Sequence, residues 1–350
     1  MLTPSERPRR RLRTGPKMGL AFKNVDIDIC SLGQLCLSIA SAPKSGLGLC
    51  SSGFVFHSAL DAHDMKGFGS GTVHVLTRHK TMGHNMDFTV ENAGTTIACR
   101  EFAEPGVPSD APALVCVHGA CVDGTFFDGI ARELACGYRV IAYDRRGCGE
   151  SGDAADGRYD LAAQAADLQA VIEHVGAPAN VLAHSAGTLV TLELLRTNPA
   201  IVSRAMLHEP AVTNEGAGLG TAPVLLEMIA AGKVSRALRA FLSAIGDSDP
   251  QAPKTTEAEA KHALRNGRSF MANEYGIIMT CVPDWDRVRA SKTVAAVFLG
   301  ELSIGTPREA GTRASAELLG CPLVTVPGAH NGLRDRPVAA AQAVRGVLGF

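Results

Sequence analysis

The sequence has no apolar run near the roughly 20 residues that a membrane-spanning helix needs, so we expect no transmembrane segment. Its ten cysteines form no CxxC pair and no zinc-finger spacing, which argues against a structural metal and favours reduced thiols in a cytoplasmic protein. The formal net charge is only −1, so the chain lacks the basic surplus typical of proteins that bind nucleic acid. What remains is a globular chain with 46% hydrophobic residues, enough to bury a sizeable core.

The charge is unevenly distributed along the chain. Residues 1–85 contain 11 Lys and Arg against 5 Asp and Glu, whereas the remainder contains 23 against 30. The arginine-rich start is not followed by the clean apolar core of a signal peptide, and no aromatic residues are interleaved with the arginines. We expect residues 1–85 to be a disordered extension or an artefact of gene prediction, with translation beginning at Met82 or Met86.

From residue 86 onward, short apolar runs alternate with segments of helical period. This alternation predicts an α/β fold with a mostly parallel sheet and helices on both faces. Reactive groups collect at the carboxyl ends of the strands in such sheets, and every unusual motif here follows a predicted strand. The predicted strands are 88–91, 95–102, 113–117, 139–143, a strand ending near 182, 204–208, 294–299 and 323–326; the predicted helices are 126–135, 161–175, 308–319 and 337–348.

Residues 211–290 do not follow the alternation. Helices are predicted over 223–245 and 256–266, and the next segment is rich in aromatic residues and methionine. An insertion of this size between two strands predicts a helical cap over a core formed by residues 86–210 and 291–350. Trp285, where the cap rejoins the sheet, fits either core packing or a pocket wall.

The segment Asn180–Gly187, NVLAHSAG, ends an apolar run and continues with small residues before an amphipathic run. This pattern predicts a strand, a sharp turn and a helix, with Ser185 at the turn. A turn that lifts a nucleophilic serine clear of a sheet strains the backbone and needs small flanking residues. Ala183, Ala186 and Gly187 meet that need. A serine that caps a helix would give a similar pattern, so this segment alone leaves both interpretations open.

Four motifs occur in register with the predicted strands: HG at 118–119, DRRGCGES at 144–151, AHSAG at 183–187 and PGAH at 327–330. With these motifs in this order, the chain resembles the α/β-hydrolase superfamily over residues 86–350.

The resemblance implies a role for each matching position. Ser185 would be the nucleophile, and His330 the base that takes its proton. The backbone N–H groups of Ala120 and Ala186 would form the oxyanion hole. No metal or organic cofactor is implied.

Other matching positions carry no expected chemistry. We expect His118, Asp144 and Arg145 to hold loops beside the site. No role is assigned to His184.

The acid of the triad is where this sequence departs from the family pattern. Most members carry Asp after the strand at 294–299, but Ser303 stands there and cannot balance an imidazolium charge. Glu209 ends the strand at 204–208, and some dehalogenases and a lactonase of the superfamily are similar in carrying a carboxylate at that strand end. Glu301 is the alternative acid. We expect Glu209, which keeps the order nucleophile, acid, base.

The resemblance therefore implies a serine hydrolase that cleaves a small-molecule carboxylic ester or lactone through an acyl-enzyme. Serine rather than aspartate at the turn argues against dehalogenase and epoxide hydrolase chemistry, whereas hydrolysis of carbon–carbon bonds stays open. A perhydrolase side reaction of the same triad is also compatible. Because Ser303 replaces the usual Asp, a non-catalytic ligand-binding receptor stays open as the alternative. The apolar content of residues 269–285 leans toward a mid-sized hydrophobic substrate.

Overall fold

The computed structural model describes residues 84–212, 222–245 and 249–349. The prediction for residues 1–85 therefore lies outside the described residues, except at residues 84 and 85, which begin the first strand. None of the helices in these three ranges is long and apolar enough to cross a membrane.

Eight strands of the described chain form one mostly parallel sheet, in which the second strand runs opposite to the other seven. The strands are β1 (His84–Asn92), β2 (Thr95–Ala103), β3 (Ala113–Val117), β4 (Arg139–Tyr143), β5 (Ala179–His184), β6 (Val202–His208), β7 (Val294–Gly300) and β8 (Leu323–Val326). Their order across the sheet is β1-β2-β4-β3-β5-β6-β7-β8. Strands β5 and β6 are therefore adjacent and parallel, and their carboxyl ends lie side by side.

The predicted hairpin at the start of the sheet is confirmed. Asn92 pairs with Thr95 across a two-residue turn. Both turn residues, Ala93 and Gly94, have positive φ values of 48° and 75°. That combination defines the type I′ turn, whose twist matches that of the flanking strands.

Helices pack on both faces of the sheet. They are α1 (Asp128–Leu134), α2 (Leu161–Val175), α3 (Ala186–Thr197), α4 (Ala222–Ala230), α5 (Val234–Ile245), α6 (Glu257–Asn273), α7 (Tyr275–Thr280), α8 (Trp285–Ser291), α9 (Pro307–Leu319), α10 (Gly332–Asp335) and α11 (Pro337–Leu348). Alternate residues of a strand face opposite sides. On β3, Val115 and Val117 belong to one buried cluster with residues of α2, α3 and α9, whereas Leu114 and Cys116 belong to another with residues of α1 and α11. The predicted α/β fold class is thus confirmed.

Helices α4 to α8 all lie between β6 and β7, and we call them the inserted helices. The predicted continuous helix over 223–245 is wrong, because the chain turns at Gly232 (φ +71°) between α4 and α5. The N–H groups of Gly232 and Lys233 donate to the carbonyls of Ile229 and Met228, the pattern of a Schellman motif. The predicted helix at 256–266 continues to Asn273, and its Thr256 and Glu259 form a capping box.

A buried ion pair ties the inserted helices to the loop that follows β4. Arg145 pairs with Glu274, which joins α6 to α7, and each side chain is only 1% exposed. Gln164 of α2 also donates to the Glu274 carboxylate at 3.2 Å. The expectation that Arg145 holds a loop agrees with this geometry.

Replacing Glu274 with glutamine should lower the free energy of unfolding by about 3–5 kcal/mol, because it leaves the Arg145 charge buried without a counter-charge. Urea unfolding of the full chain measures this loss. The matched control is Glu257→Gln, which breaks an exposed pair with Lys261 and should cost no more than about 1 kcal/mol. Equal midpoints for the two variants would contradict this account of the pair.

Candidate active site

Ser185 lies on a strained turn between β5 and α3. Its φ of +51° and ψ of −120° are unusual for a residue with a side chain. Helix and sheet approach closely here: a Cβ added to Gly187 would lie 2.4 Å from the Val117 carbonyl, and one added to Gly119 would lie 2.9 Å from the Ser185 Cβ. Ser185 occupies the N-cap position of α3, but its side chain makes no capping hydrogen bond. The helix-cap interpretation therefore does not account for this serine.

His330 connects the serine to a carboxylate. Its Nε2 lies 3.1 Å from the Ser185 Oγ, and its Nδ1 lies 2.7 Å from Oε2 of Glu209. Ser185 and Glu209 follow the neighbouring strands β5 and β6, and His330 stands in the loop after β8. The structure thus brings together the three residues for which the sequence predicted a triad.

Glu209 is held in place by several donors. Its φ of +44° is another strained value at the site. The Gly300 N–H donates to Oε1 at 2.9 Å, and the Ser303 hydroxyl is hydrogen-bonded to the same carboxylate. Burial raises the pKa of Glu209, but the hydrogen bond from His330, the neighbouring His208 and the Ser303 hydroxyl together hold this pKa well below its usual range. The carboxylate is therefore ionised and can balance an imidazolium.

Glu301, the alternative acid, lies elsewhere. It is exposed, begins the short 3₁₀ turn Glu301–Ser303 after β7, and is not among the described residues that line the cavity at Ser185. The structure brings Glu209 to His330 and does not bring Glu301 there.

The residues expected to supply the oxyanion hole, Ala120 and Ala186, both line the cavity that contains Ser185. Ala186 is the first residue of α3, where the backbone N–H has no partner within the helix. Ala120 follows Gly119, which must be glycine for the loop after β3 to pass so close to Ser185. Two residues from separate elements, each with a backbone N–H, therefore line the cavity that contains the serine.

His118 organises the loop that carries Ala120. Its Nε2 accepts from the Arg145 N–H at 2.9 Å, so its Nδ1 carries the proton and donates to the Gly119 carbonyl at 2.9 Å. Burial, and then the Arg145 charge, lower the pKa of His118 to about 3. Asp144 plays a similar part, since it accepts from the N–H groups of Gly124 and Glu150.

Two further histidines lie beneath His330. Nδ1 of His184 is 3.0 Å from Nδ1 of His208, and the His184 ring lies 4.6 Å from that of His330. On its other side His184 stacks on Phe126 at 4.4 Å. Burial and the neighbouring His330 lower the pKa of His184 well below its usual value, so it remains neutral beside His330. His184 and His208 thus form a packed support for the His330 ring.

The cavity above Ser185 is mostly apolar. Its walls come from the end of β6, from the inserted helices α5 to α7, and from the start of α9. Trp285 is not among the described lining residues; it packs against the core, which favours the packing interpretation of that residue. Besides Ala120 and Ala186, the apolar lining residues are Val122, Pro210, Ala211, Val212, Phe241, Ile245, Phe270, Ile278, Met279 and Pro307; besides Ser185, Glu209 and His330, the polar ones are His184, Arg308, Thr312 and Asn331.

Sequence reasoning missed three contributors to this site: the donor role of Ser303, His208 beneath His330, and Arg308 in the cavity wall. The sequence held a signal for Ser303, because it occupies the position of the family's usual acid. A carboxylate that takes the place of that acid must lie near position 303. His208 precedes Glu209 as His184 precedes Ser185, and adjacent parallel strands place such residues together. No pattern in the sequence indicated Arg308.

Comparison with known proteins identifies the class. A sequence model described as the alpha/beta hydrolase family matches residues 114–343, about two thirds of the chain. The chain therefore belongs to the alpha/beta hydrolase family.

Individual relatives are more distant. The chain is 34% identical over 130 residues to the magnesium-chelatase 30 kDa subunit of Rhodobacter capsulatus. The matched region covers 36% of this chain and less than half (43%) of that subunit. It superposes with a TM-score of 0.59 on the enol-lactonase from Burkholderia xenovorans LB400, at 19% identity, over 75% of this chain and 100% of that chain. An alpha/beta hydrolase from Sphaerobacter thermophilus DSM 20745 gives the same TM-score and coverage at 21% identity. At these identities the likeness to the two solved structures shows the fold alone.

Proposed function

We propose that this protein is a serine hydrolase that cleaves carboxylic esters or lactones through an acyl-enzyme. The observation that carries the proposal is the unbroken series of contacts from the Ser185 hydroxyl through His330 to the Glu209 carboxylate, at 3.1 and 2.7 Å. A serine hydroxyl is a weak nucleophile by itself, and an adjacent base oriented by a third group is the arrangement that activates it.

In the proposed reaction Ser185 Oγ attacks the carbonyl carbon while His330 Nε2 takes its proton. The N–H groups of Ala120 and Ala186 stabilise the negative charge that develops on the carbonyl oxygen. The C–O bond then breaks, and His330 returns the proton to the leaving alcohol, which stays tethered when the substrate is a lactone. Water attacks the acyl-enzyme while His330 takes its proton; the bond between the acyl group and Ser185 Oγ then breaks, His330 returns the proton to Oγ, and the carboxylic acid leaves. Glu209 stabilises the imidazolium in both halves of the reaction.

We further propose that residues 211–290 act as a cap that selects the substrate over a core of residues 86–210 and 291–350. Support comes from the cavity wall, since α5, α6 and α7 each contribute an apolar side chain opposite Ser185, such as Phe241, Phe270 and Ile278. Burial of an apolar acyl chain or ring against these side chains would supply binding energy.

The contact between Glu209 and His330 favours the enzyme over a ligand-binding receptor. The receptor hypothesis depended on Ser303, which cannot orient and balance the base. Glu209 lies against Nδ1 of His330 and is hydrogen-bonded to Ser303. Glu209 can therefore serve as the acid in place of the usual Asp.

Purified full chain should hydrolyse p-nitrophenyl esters from acetate to decanoate, simple lactones, or both, and a fluorophosphonate should abolish the turnover. Initial rates of p-nitrophenolate release and of acid production measure this. A folded protein that binds these compounds but turns over none of them would overturn the proposal in favour of a receptor.

A further inference from the structure

Thr312 of helix α9 places a buried hydroxyl in the wall of the cavity above Ser185. The residue is 1% exposed, and it is one of the residues that line this cavity. The cavity has a volume of about 110 Å³, which is less than the roughly 150 Å³ of a cavity that holds benzene. A substrate group bound in so small a space lies close to all of its walls, including Thr312.

The helix backbone does not satisfy this hydroxyl. A buried serine or threonine within a helix commonly donates to a carbonyl three or four residues earlier. Ser315 of the same helix does so, to the Gly311 carbonyl at 2.8 Å. Thr191 of α3 does so as well, to the Gly187 carbonyl at 3.1 Å. Among the described residues, by contrast, the Thr312 hydroxyl has no hydrogen-bond partner.

The hydroxyl oxygen is also not sealed inside the core. It is not one of the fully enclosed, unpartnered side-chain atoms of the described chain. The little surface that Thr312 retains therefore includes its hydroxyl, and the space that this residue lines is the cavity. A buried polar group needs a hydrogen-bond partner, and a molecule bound in the cavity can supply it.

The other polar side chain that α9 contributes to the cavity wall is engaged by the protein. Arg308, one turn before Thr312, forms an ion pair with Glu209 and donates to the Ile245 carbonyl. The remaining lining residues of this helix are Pro307 and Gly311. Thr312 is therefore the polar side chain that α9 leaves for the substrate.

We propose that the Thr312 hydroxyl donates a hydrogen bond to the substrate, and that the substrate is an ester or lactone whose apolar part carries an additional oxygen acceptor such as a ketone. This inference rests on the proposed hydrolase function. A hydroxyl has one proton to donate, and a ketone oxygen brings no proton of its own that would need an acceptor. A single hydroxyl therefore satisfies this oxygen in a wall that is mostly apolar.

The test compares matched esters in wild type and in Thr312→Val, which removes the hydroxyl and keeps the branched shape. The oxo esters are the p-nitrophenyl esters of levulinic acid and of its homologues with one and two further methylenes. Their alkyl counterparts are p-nitrophenyl pentanoate, hexanoate and heptanoate, and spontaneous hydrolysis is subtracted. For at least one chain length, the ratio of kcat/KM for the oxo ester to that for its counterpart should fall by about three- to tenfold in the variant, the effect of one neutral hydrogen bond. The alkyl ester should change by less than about twofold.

Two variants serve as controls. Thr312→Ser keeps the hydroxyl and should keep the wild-type ratio. Ser315→Ala removes a buried hydroxyl of the same helix that does not line the cavity and already donates to Gly311, so it should keep the ratio but lower the urea midpoint of unfolding. Thr312→Val should not lower this midpoint, because it breaks no hydrogen bond within the protein.

Two outcomes would overturn the proposal. One is a ratio that Thr312→Val leaves unchanged at all three chain lengths, whether or not both ester classes react more slowly. The other is an unfolding midpoint of Thr312→Val that falls as far as that of Ser315→Ala, which would show that the hydroxyl has a partner in the protein.

A binding measurement separates this inference from the proposed function. Calorimetric titration of Ser185→Ala with the methyl esters of the same oxo and alkyl acids needs no turnover. Adding Thr312→Val should weaken binding of the oxo ester by about three- to tenfold and leave that of the alkyl ester unchanged. If wild type hydrolyses neither class but this difference holds, the hydrolase function fails and the Thr312 contact stands. If wild type hydrolyses both classes and Thr312→Val changes neither rates nor binding, the hydrolase function stands and the contact is overturned.

Discussion

Ser185→Ala should lower kcat/KM for ester hydrolysis by about 10⁴-fold or more, because in the proposed mechanism Ser185 is the group that forms the acyl-enzyme. The fold should be unaffected, since alanine loses only a hydroxyl that makes no helix-capping bond. Steady-state rates with the best ester measure the loss, and circular dichroism checks the fold. Ser235→Ala, an exposed serine of α5, is the control and should keep full activity. A Ser185→Ala variant that keeps more than a few per cent of the wild-type rate would contradict the assignment of the nucleophile.

Glu209→Gln should lower kcat by about 10⁴-fold, because a neutral amide cannot balance the His330 imidazolium and its NH₂ group favours the wrong tautomer. Since the pKa of Glu209 is held well below its usual range, the carboxylate stays ionised near neutral pH, and this loss should not diminish as the pH rises. The matched control is Glu301→Gln, which alters an exposed carboxylate close by and should change kcat by less than about twofold.

The hydroxyl of Ser303 provides a stricter version of this experiment. It is hydrogen-bonded to the Glu209 carboxylate, so an aspartate at position 303 would place its own carboxylate close to His330. Adding Ser303→Asp to Glu209→Gln should therefore recover about a hundredfold of the lost rate or more. In the wild-type background the same change crowds two carboxylates and should reduce activity. Failure of the double variant to exceed Glu209→Gln, with the fold intact, would show that position 303 cannot serve the base.

The residues of the proposed triad were predictable because they belong to short motifs that directly follow strands. Once the strands at 179–184, 202–208 and 323–326 are parallel members of one sheet, the residues after them must meet at one edge. The strand that ends just before Glu209 pairs directly with the strand that ends just before Ser185. Topology alone therefore brought this carboxylate within reach of the site.

The turn at Gly232 had a local signal, a glycine after a helical run, but the continuous apolar pattern of 223–245 obscured it. Features that depend on packing between distant segments have no local signal and were not predictable. Arg308 had no such signal, because its place in the cavity depends on how α9 packs beside the end of β6 and against Ile245. The donor role of Ser303 likewise needs the position of Glu209 in space.

The measurement that tests the central claim most directly is labelling by a fluorophosphonate probe, with the modified residue identified by peptide mass spectrometry. Wild type, Ser185→Ala, Glu209→Gln and Glu301→Gln are compared after each has been shown to fold. We expect the adduct on Ser185, no labelling of Ser185→Ala, much slower labelling of Glu209→Gln and wild-type labelling of Glu301→Gln. A folded wild-type chain that does not label, or a rate lost in Glu301→Gln but kept in Glu209→Gln, would contradict the triad of Ser185, His330 and Glu209.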